Sequence, residues 1–278
     1  MKRAYKGMFL GFLLVGLAAL SSGAALAAKP PEATYLALGD SLAVGEGATP
    51  LEWQFGYVGQ FNHWFKDSRD GPHNLTNLAI GGETSGSFVA GEQLAAAIQA
   101  IADPDTDVQV VTLDIGGNDM LRLLRPGGPC YPNPATPACQ AAVGAALAGF
   151  SGNYKVILGS LVTALGQDPG TETILVTTYY NPFDGTGSPL EIPVDITLLG
   201  ADMAINCTAA LGNPVNVGLN DLITCIGAGF APYGVEVVNV YPIFDGNAMA
   251  LTNIADGDIH PNNDGYDAIA DALIANAQ

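Results

Sequence analysis

The chain has 278 residues, of which 49% are hydrophobic, and 27 acidic side chains outnumber 9 basic ones for a formal net charge of −18. A field of that sign argues against binding to nucleic acid or to anionic membrane surfaces, and favours neutral or cationic ligands. The apolar share supports a large core.

The N-terminus carries Lys2, Arg3 and Lys6, then an apolar stretch from Met8 to Leu20, then small residues through Ala28. This order, with Ala25-Leu26-Ala27 as the small-x-small site, predicts a cleavable secretory signal over residues 1–27. The apolar run is short of the ~20 residues that span a bilayer, and no second run of spanning length is evident. The expected product is one domain over residues 28–278, secreted, without stable membrane insertion. That is a normal size for a single α/β sheet with loop insertions.

Along that domain, short apolar runs alternate with longer helical patterns. Strands are predicted at Thr34–Leu38, Leu75–Ala79, Val108–Asp114, Thr173–Tyr179 and Val235–Tyr241. Their near-continuous hydrophobicity suits parallel strands covered on both faces. Helices are predicted at Phe55–Phe65, Gly91–Ile101, Gln140–Leu165, Asp195–Leu211 and Asn263–Ala277. Five strands joined by crossovers predict a three-layer α/β/α sandwich. Asn181–Pro193 and the segment around Cys130 and Cys139 are read as loops that border a cleft.

Four cysteines in an exported chain suggest two disulfides. Of three connectivities we choose local pairing, Cys130 with Cys139 across a Pro-rich segment and Cys207 with Cys225 across Leu211-Gly212-Asn213-Pro214. No CxxC spacing or nearby histidine suggests a metal site. Asp103-Pro104-Asp105-Thr106-Asp107 has alternating carboxylates but lacks the glycine and glutamate of a calcium loop, and reads as a solvated turn. Neither a phosphate loop nor a dinucleotide fingerprint is present, so no cofactor is implied.

Four short segments carry chemistry. Gly39-Asp40-Ser41-Leu42 follows the first strand, Ile80-Gly81-Gly82-Glu83-Thr84 the second and Gly116-Gly117-Asn118-Asp119 the third, while Asp258-Ile259-His260-Pro261 lies beyond the fifth. All four therefore fall at one edge of a parallel sheet, where open α/β sheets bind ligands. A serine, close-approaching backbone, a side-chain amide and a histidine are what a serine esterase needs. Taken one at a time, Ser41 and Asn118 read equally as helix N-caps and Gly81-Gly82 as a plain turn. His63, in a helical pattern, and His73, in a polar loop, read as structural or exposed.

In this order the segments resemble the SGNH hydrolases, the GDSL lipase/esterase family. The resemblance implies a flavodoxin-like five-stranded parallel sheet and hydrolysis of carboxylic esters. It implies Ser41 as nucleophile, His260 as base, and the Ser41 N–H, Gly82 N–H and Asn118 amide as oxyanion hole, with Gly81 the alternative to Gly82. Asp40 and Asp119 are read as acceptors that fix loops. The family's usual acid, three residues before the histidine, falls on Gly257 here. Asp258 and Asp256 flank that glycine and both stand as candidates, Asp258 ahead because residues two apart in extended chain point the same way.

The expected partner is a small-molecule or lipid ester. A carbohydrate acetylesterase of the same fold is the alternative, and a secreted binding protein without turnover is a weaker one. Trp53, Phe55, Tyr57, Phe88 and Leu121 are candidates for an acyl pocket, and core packing explains them equally well. Chain-length preference and oligomeric state are not written in the sequence.

Overall fold

The computed structural model describes residues 31–278 apart from 70, 132, 167–171, 201–204, 206, 212–216 and 278. The signal segment read over residues 1–27 lies outside them. Strand β1 (Glu32–Gly39) is followed by α1 (Ser41–Val44), α2 (Glu52–Phe55) and α3 (Tyr57–Asp67) before β2 (His73–Asn77). The second crossover carries α4 (Ser85–Ala90) and α5 (Glu92–Ala102) to β3 (Thr106–Asp114). The third carries α6 (Gly117–Leu124) and α7 (Pro137–Ala164) to β4 (Thr173–Thr177). The fourth carries α8 (Glu191–Leu199), α9 (Cys207–Leu211) and α10 (Leu219–Gly229) to β5 (Val235–Val238). Beyond β5 come α11 (Tyr241–Phe244), α12 (Ala248–Leu251) and α13 (Asn263–Asn276).

All strand pairings are parallel, in the order β2-β1-β3-β4-β5. This is the flavodoxin-like α/β arrangement. Helices α3 and α13 pack together on one side, and α5, α7 and α10 form the other layer. β1 is buried along its length because it lies inside the sheet and is covered on both faces. Tyr35 of β1 meets Phe61 and Phe65 of α3, with ring centroids 4.9 and 6.1 Å apart, and its hydroxyl pairs with Thr112 of β3 at 2.8 Å.

Several boundaries differ from the sequence reading. β2 begins at His73, which pairs with Ala33, so His73 lies in an edge strand and not in a loop. Leu78 and Ile80 still donate to the Ala37 and Gly39 carbonyls, which explains why the apolar pattern runs past the strand's end. The single helix expected over Asp195–Leu211 ends at Leu199, where Gly200 adopts φ +74° and closes α8. Helix α10 was not expected; it runs through Cys225. The helix after Gly116 starts at Gly117, which puts Asn118 inside its first turn and not at its cap.

Helix α7 has 28 residues and an 18-residue stretch of mean hydropathy 1.2, enough to cross a bilayer by length and composition, contrary to the expectation of no second such run. Its apolar side is spent inside the molecule, through Phe150, Tyr154, Ile157, Leu158 and Leu161. Disulfides join Cys130 to Cys139 and Cys207 to Cys225, the local pairing.

The fully buried Phe61 fills the space between α3 and the sheet. Phe61→Ala should therefore cost about 3–5 kcal/mol of stability. Urea denaturation checks this, and an unchanged midpoint would contradict the packing described.

Candidate active site

The site begins where β1 ends. Gly39 adopts φ +140°, and a Cβ there would lie 2.0 Å from Asp114 Oδ1. Only glycine lets the end of β1 approach the end of β3 so closely. Gly39 and Asp114 are register partners across the two strands. Asp40 then caps the single turn of α1, its Oδ1 accepting from Leu42 N at 3.0 Å, and Ser41 opens that turn at 9% exposure.

The histidine arrives from the far end of the chain. His260 Nε2 lies 2.9 Å from Ser41 Oγ, and its Nδ1 lies 2.6 Å from Asp258 Oδ1. The same Asp258 oxygen accepts from the His260 backbone N–H at 3.1 Å. Asp256 sits in a 3₁₀ turn over Ile254–Asp256. Among the described residues no hydrogen bond joins its carboxylate to His260. Glu46 adds a second carboxylate, its Oε2 3.5 Å from His260 Nε2. No sequence signal singled out Glu46.

The remaining motif residues converge on the same edge. Asn118 Nδ2 donates to Asp40 Oδ2 at 3.2 Å, so the amide is anchored beside Ser41. Gly82 has φ +78° and a Cβ there would meet nothing within 4 Å, so its left-handed backbone and not crowding calls for glycine. A Cβ on Gly81 would lie 2.2 Å from Glu46 Oε1. Gln93 ties this turn to the serine turn: its Oε1 accepts from Gly39 N at 2.7 Å, and its Nε2 donates to Gly39 O and to Glu83 Oε2 at 3.0 and 3.1 Å. Asp119 accepts from the Ser85 N–H and hydroxyl, both at 2.8 Å. Asp40 and Asp119 are thus both acceptors that hold loops.

Behind the serine turn lies a group of buried polar side chains. Asp40 Oδ2 also accepts from Tyr179 Oη at 2.8 Å, and Asp114 Oδ1 accepts from Tyr57 Oη at 2.9 Å. Asp114 Oδ2 is buried and, among the described residues, faces no N–H or O–H donor. Burial raises the pKa of both carboxyls, and the charge of Asp40 pushes Asp114 well above the ordinary range. Two carboxylates side by side in a dry site cannot both ionise. Of the two, Asp114 is raised further, so burial beside Asp40 favours the protonated form of its carboxyl. The sequence hinted at Asp114 only as a lone carboxylate ending an apolar strand. Tyr179 and Gln93 carried no comparable signal.

A pocket of about 60 Å³ opens on Ser41, His260 and Asn118. Its apolar walls come from Met120, Leu121 and Leu124 of α6 and from Val194 and Leu198 of α8. Of the five residues expected to line an acyl pocket, only Leu121 does so. Tyr57 and Phe88 are core, Phe55 packs against that core, and Trp53 is exposed. Pro182, from the loop after β4, also borders the pocket.

Because Asp114 keeps its proton when folded and has the ordinary value of 3.8 when unfolded, the folded chain binds the extra proton above about pH 4. That contribution favours the native state at low pH and is lost as pH rises towards the raised folded value. Asp114→Asn preserves the hydrogen bonds without titrating. Its stability relative to the parent should therefore improve between pH 4.5 and pH 8. Urea midpoints at both pH values check this; a constant difference would show that Asp114 holds no extra proton.

Residues 37–268 match the model of the GDSL-like Lipase/Acylhydrolase family. Similar solved structures include a lipase from a goat rumen metagenome, at 20% identity and TM-score 0.62, covering 87% of this chain and 96% of that one. An acetylxylan esterase from Geobacillus stearothermophilus aligns at 15% identity and TM-score 0.55, over 90% of this chain and 96% of that one. An extracellular lipase from Streptomyces rimosus aligns at 18% identity and TM-score 0.51, over 87% and 99%. No curated protein matches at the sequence level. With the family model spanning the sheet and all four motif segments, the chain belongs to the GDSL-like lipase/acylhydrolases and is a carboxylic ester hydrolase.

Proposed function

We propose that this chain is an exported serine esterase that cleaves carboxylic esters through an acyl-enzyme on Ser41. The observation that carries the reading is the unbroken contact Ser41 Oγ–His260–Asp258, at 2.9 and 2.6 Å. A serine hydroxyl becomes nucleophilic when a neighbouring base takes its proton. His260 Nε2 is within reach for that transfer, and Asp258 holds Nδ1–H, which fixes the tautomer and steadies the imidazolium that forms.

Attack of Oγ on the ester carbonyl forms the C–O bond and places charge on the carbonyl oxygen. The Ser41 N–H, the Gly82 N–H and the Asn118 amide are the donors that receive it. One amide hydrogen of Asn118 is engaged by Asp40, which leaves the other for the oxyanion. Each such donor is worth on the order of 3 kcal/mol in the transition state. Collapse of the intermediate expels the alcohol, protonated by His260. Water, activated by the same histidine, then releases the acid and restores Ser41.

Export rests on the N-terminal signal pattern and is consistent with two disulfides, which persist in oxidising compartments. Hydrolysis of sugar acetates is the second reading, supported by the likeness to an acetylxylan esterase. A binding protein without turnover would have no need for the close serine–histidine contact.

Turnover of p-nitrophenyl acetate, butyrate, octanoate and palmitate tests the reading, with fluorophosphonate labelling as a direct probe of an activated serine. Ser41→Ala should lower kcat/KM by about 10⁴-fold or more and abolish labelling, with the fold intact. Ser41→Ala protein that kept most of its activity would refute the assignment. The two aspartates should separate clearly: Asp258→Asn should cost on the order of 10³–10⁴-fold in kcat, while Asp256→Asn should stay within about threefold. Equal losses, or the reverse order, would place the acid elsewhere.

A further inference from the structure

Glu46 stands beside the proposed catalytic contacts, and none of the proposed steps uses it. Its Oε2 lies 3.5 Å from His260 Nε2, the nitrogen that also meets Ser41 Oγ at 2.9 Å. The backbone of Glu46 is fixed from two directions: its N–H donates to Ser41 O at 3.0 Å, and its carbonyl accepts from Tyr266 Oη at 2.7 Å. The other carboxylate oxygen fills space left by a missing side chain, since a Cβ on Gly81 would lie 2.2 Å from Oε1. Gly81 is not among the glycines of positive φ, so close approach and not backbone conformation favours glycine there. The carboxylate so placed is 39% exposed. Among the described residues no N–H or O–H donates to it, and His260 is the one basic side chain within ion-pair distance. While Asp258 holds Nδ1–H, Nε2 accepts from Ser41 and turns a lone pair, not a donor, towards Glu46.

We propose that Glu46 is a specificity-determining residue, and that it selects esters whose alcohol carries a cation, such as an ammonium two carbons from the ester oxygen. This rests on the serine-esterase reading. In that reading the acyl C–O bond breaks and the alcohol oxygen takes its proton from His260 Nε2. At that moment the oxygen lies about 3 Å from Nε2, and so within roughly 7 Å of Glu46 Oε2. An ammonium two carbons further along the alcohol closes the remaining gap to the carboxylate. Neither Glu46 nor Gly81 lines the apolar pocket on α6 and α8. The two halves of the ester therefore meet different chemistry, apolar walls for the acyl group and a carboxylate for the alcohol. The net charge of −18 works in the same direction by drawing cations to the chain. A phosphate or carboxylate on the alcohol would meet like charge and be disfavoured. The attraction acts before and during bond breaking, so it lowers KM more than it raises kcat. With Glu46 partly exposed to water, the gain is about threefold to fivefold.

The experiment measures kcat and KM for butyrylcholine and for its neutral isostere, in which a tert-butyl group replaces the trimethylammonium. Parent and Glu46→Gln proteins are compared, and the quantity read is kcat/KM for the choline ester divided by that for the neutral one. Both esters use the same serine and histidine, so any effect of the substitution on His260 cancels in this ratio. Glu46→Gln should lower the ratio about threefold to fivefold, chiefly by raising KM for the choline ester. In the parent the ratio should fall by a similar factor between about 20 mM and about 500 mM sodium chloride. A ratio unchanged in folded Glu46→Gln overturns the proposal, including the case in which both esters slow equally and Glu46 acts on His260 alone. Should that variant not fold, the parent series still decides, because a ratio independent of salt overturns the proposal. If neither ester is hydrolysed and a fluorophosphonate fails to label Ser41, the esterase reading falls and the selection with it. Ser41-dependent hydrolysis of both esters with an unchanged ratio removes only the selection.

Discussion

The site depends on one buried pairing, the carboxyl groups of Asp40 and Asp114 held side by side in a dry interior. It joins the ends of β1 and β3, the two strands between which the sheet's winding reverses. Parallel sheets open a crevice at that point, because the loops leaving the two strands turn to opposite faces. Here Asp40 caps the turn that carries Ser41 and anchors Asn118 from the other loop. One carboxylate thus sets the serine and the amide donor relative to each other. Burying it is tolerable because Leu42 N–H, Asn118 and Tyr179 supply the donors that water would otherwise provide.

Gln93 extends this scaffold to the second loop. Both ends of its amide engage Gly39, and its nitrogen also reaches Glu83, the neighbour of Gly82. Asp119, one residue after Asn118, holds Ser85 a little further along that loop, and Asn153 of α7 supports Ser85 in turn. The three loops from β1, β2 and β3 are therefore cross-linked by side chains whose partners are buried, where a hydrogen bond lost is expensive. A framework of this kind holds the three loops rigid, which is what the proposed oxyanion donors require.

Much of this was readable from the residues, and the parts that were not have a common cause. The apolar runs of β1 and β3 end at the motifs, so the shared edge followed from pattern, while the flavodoxin-like sheet followed from the family resemblance. Ser41, Gly82, Asn118 and His260 stood in short local segments. The supporting residues did not, because their partners are remote: Gln93 is 54 residues from Gly39, and Tyr179 is 139 residues from Asp40. Helix α10 carried no sequence expectation; Asp221 accepts from Gly218 N and closes its first turn. For the pocket walls, residue type left the acyl and core readings open. Aromatic residues near the first motif looked suited to an apolar ligand, but Tyr57 and Phe88 are spent on the core, and aliphatic side chains of α6 and α8 face the serine instead.

The histidine loop shows why spacing alone left its acid open. Gly257 adopts φ +83° and ends the turn that contains Asp256, so the chain reverses between the two aspartates. Asp258 then lies on the histidine side of the reversal, with its N–H on the Asn253 carbonyl, and one of its oxygens spans both the backbone and ring nitrogens of His260. Asn253 anchors the loop further, since its amide donates to Pro261 O and to Gly47 O, and its backbone N–H to His260 O. Gly47 completes the arrangement. At φ +91°, a Cβ there would lie 2.8 Å from Asn253 Nδ2, His260 Cβ and Pro261 O alike. The serine loop and the histidine loop thus pack backbone against side chain with no room for a methyl group. The 2.9 Å contact between Ser41 and His260 follows from that packing. An aspartate two residues before the histidine reaches its ring in this chain because the loop is closed by Asn253 and Gly47, contacts that residue spacing along the chain does not reveal.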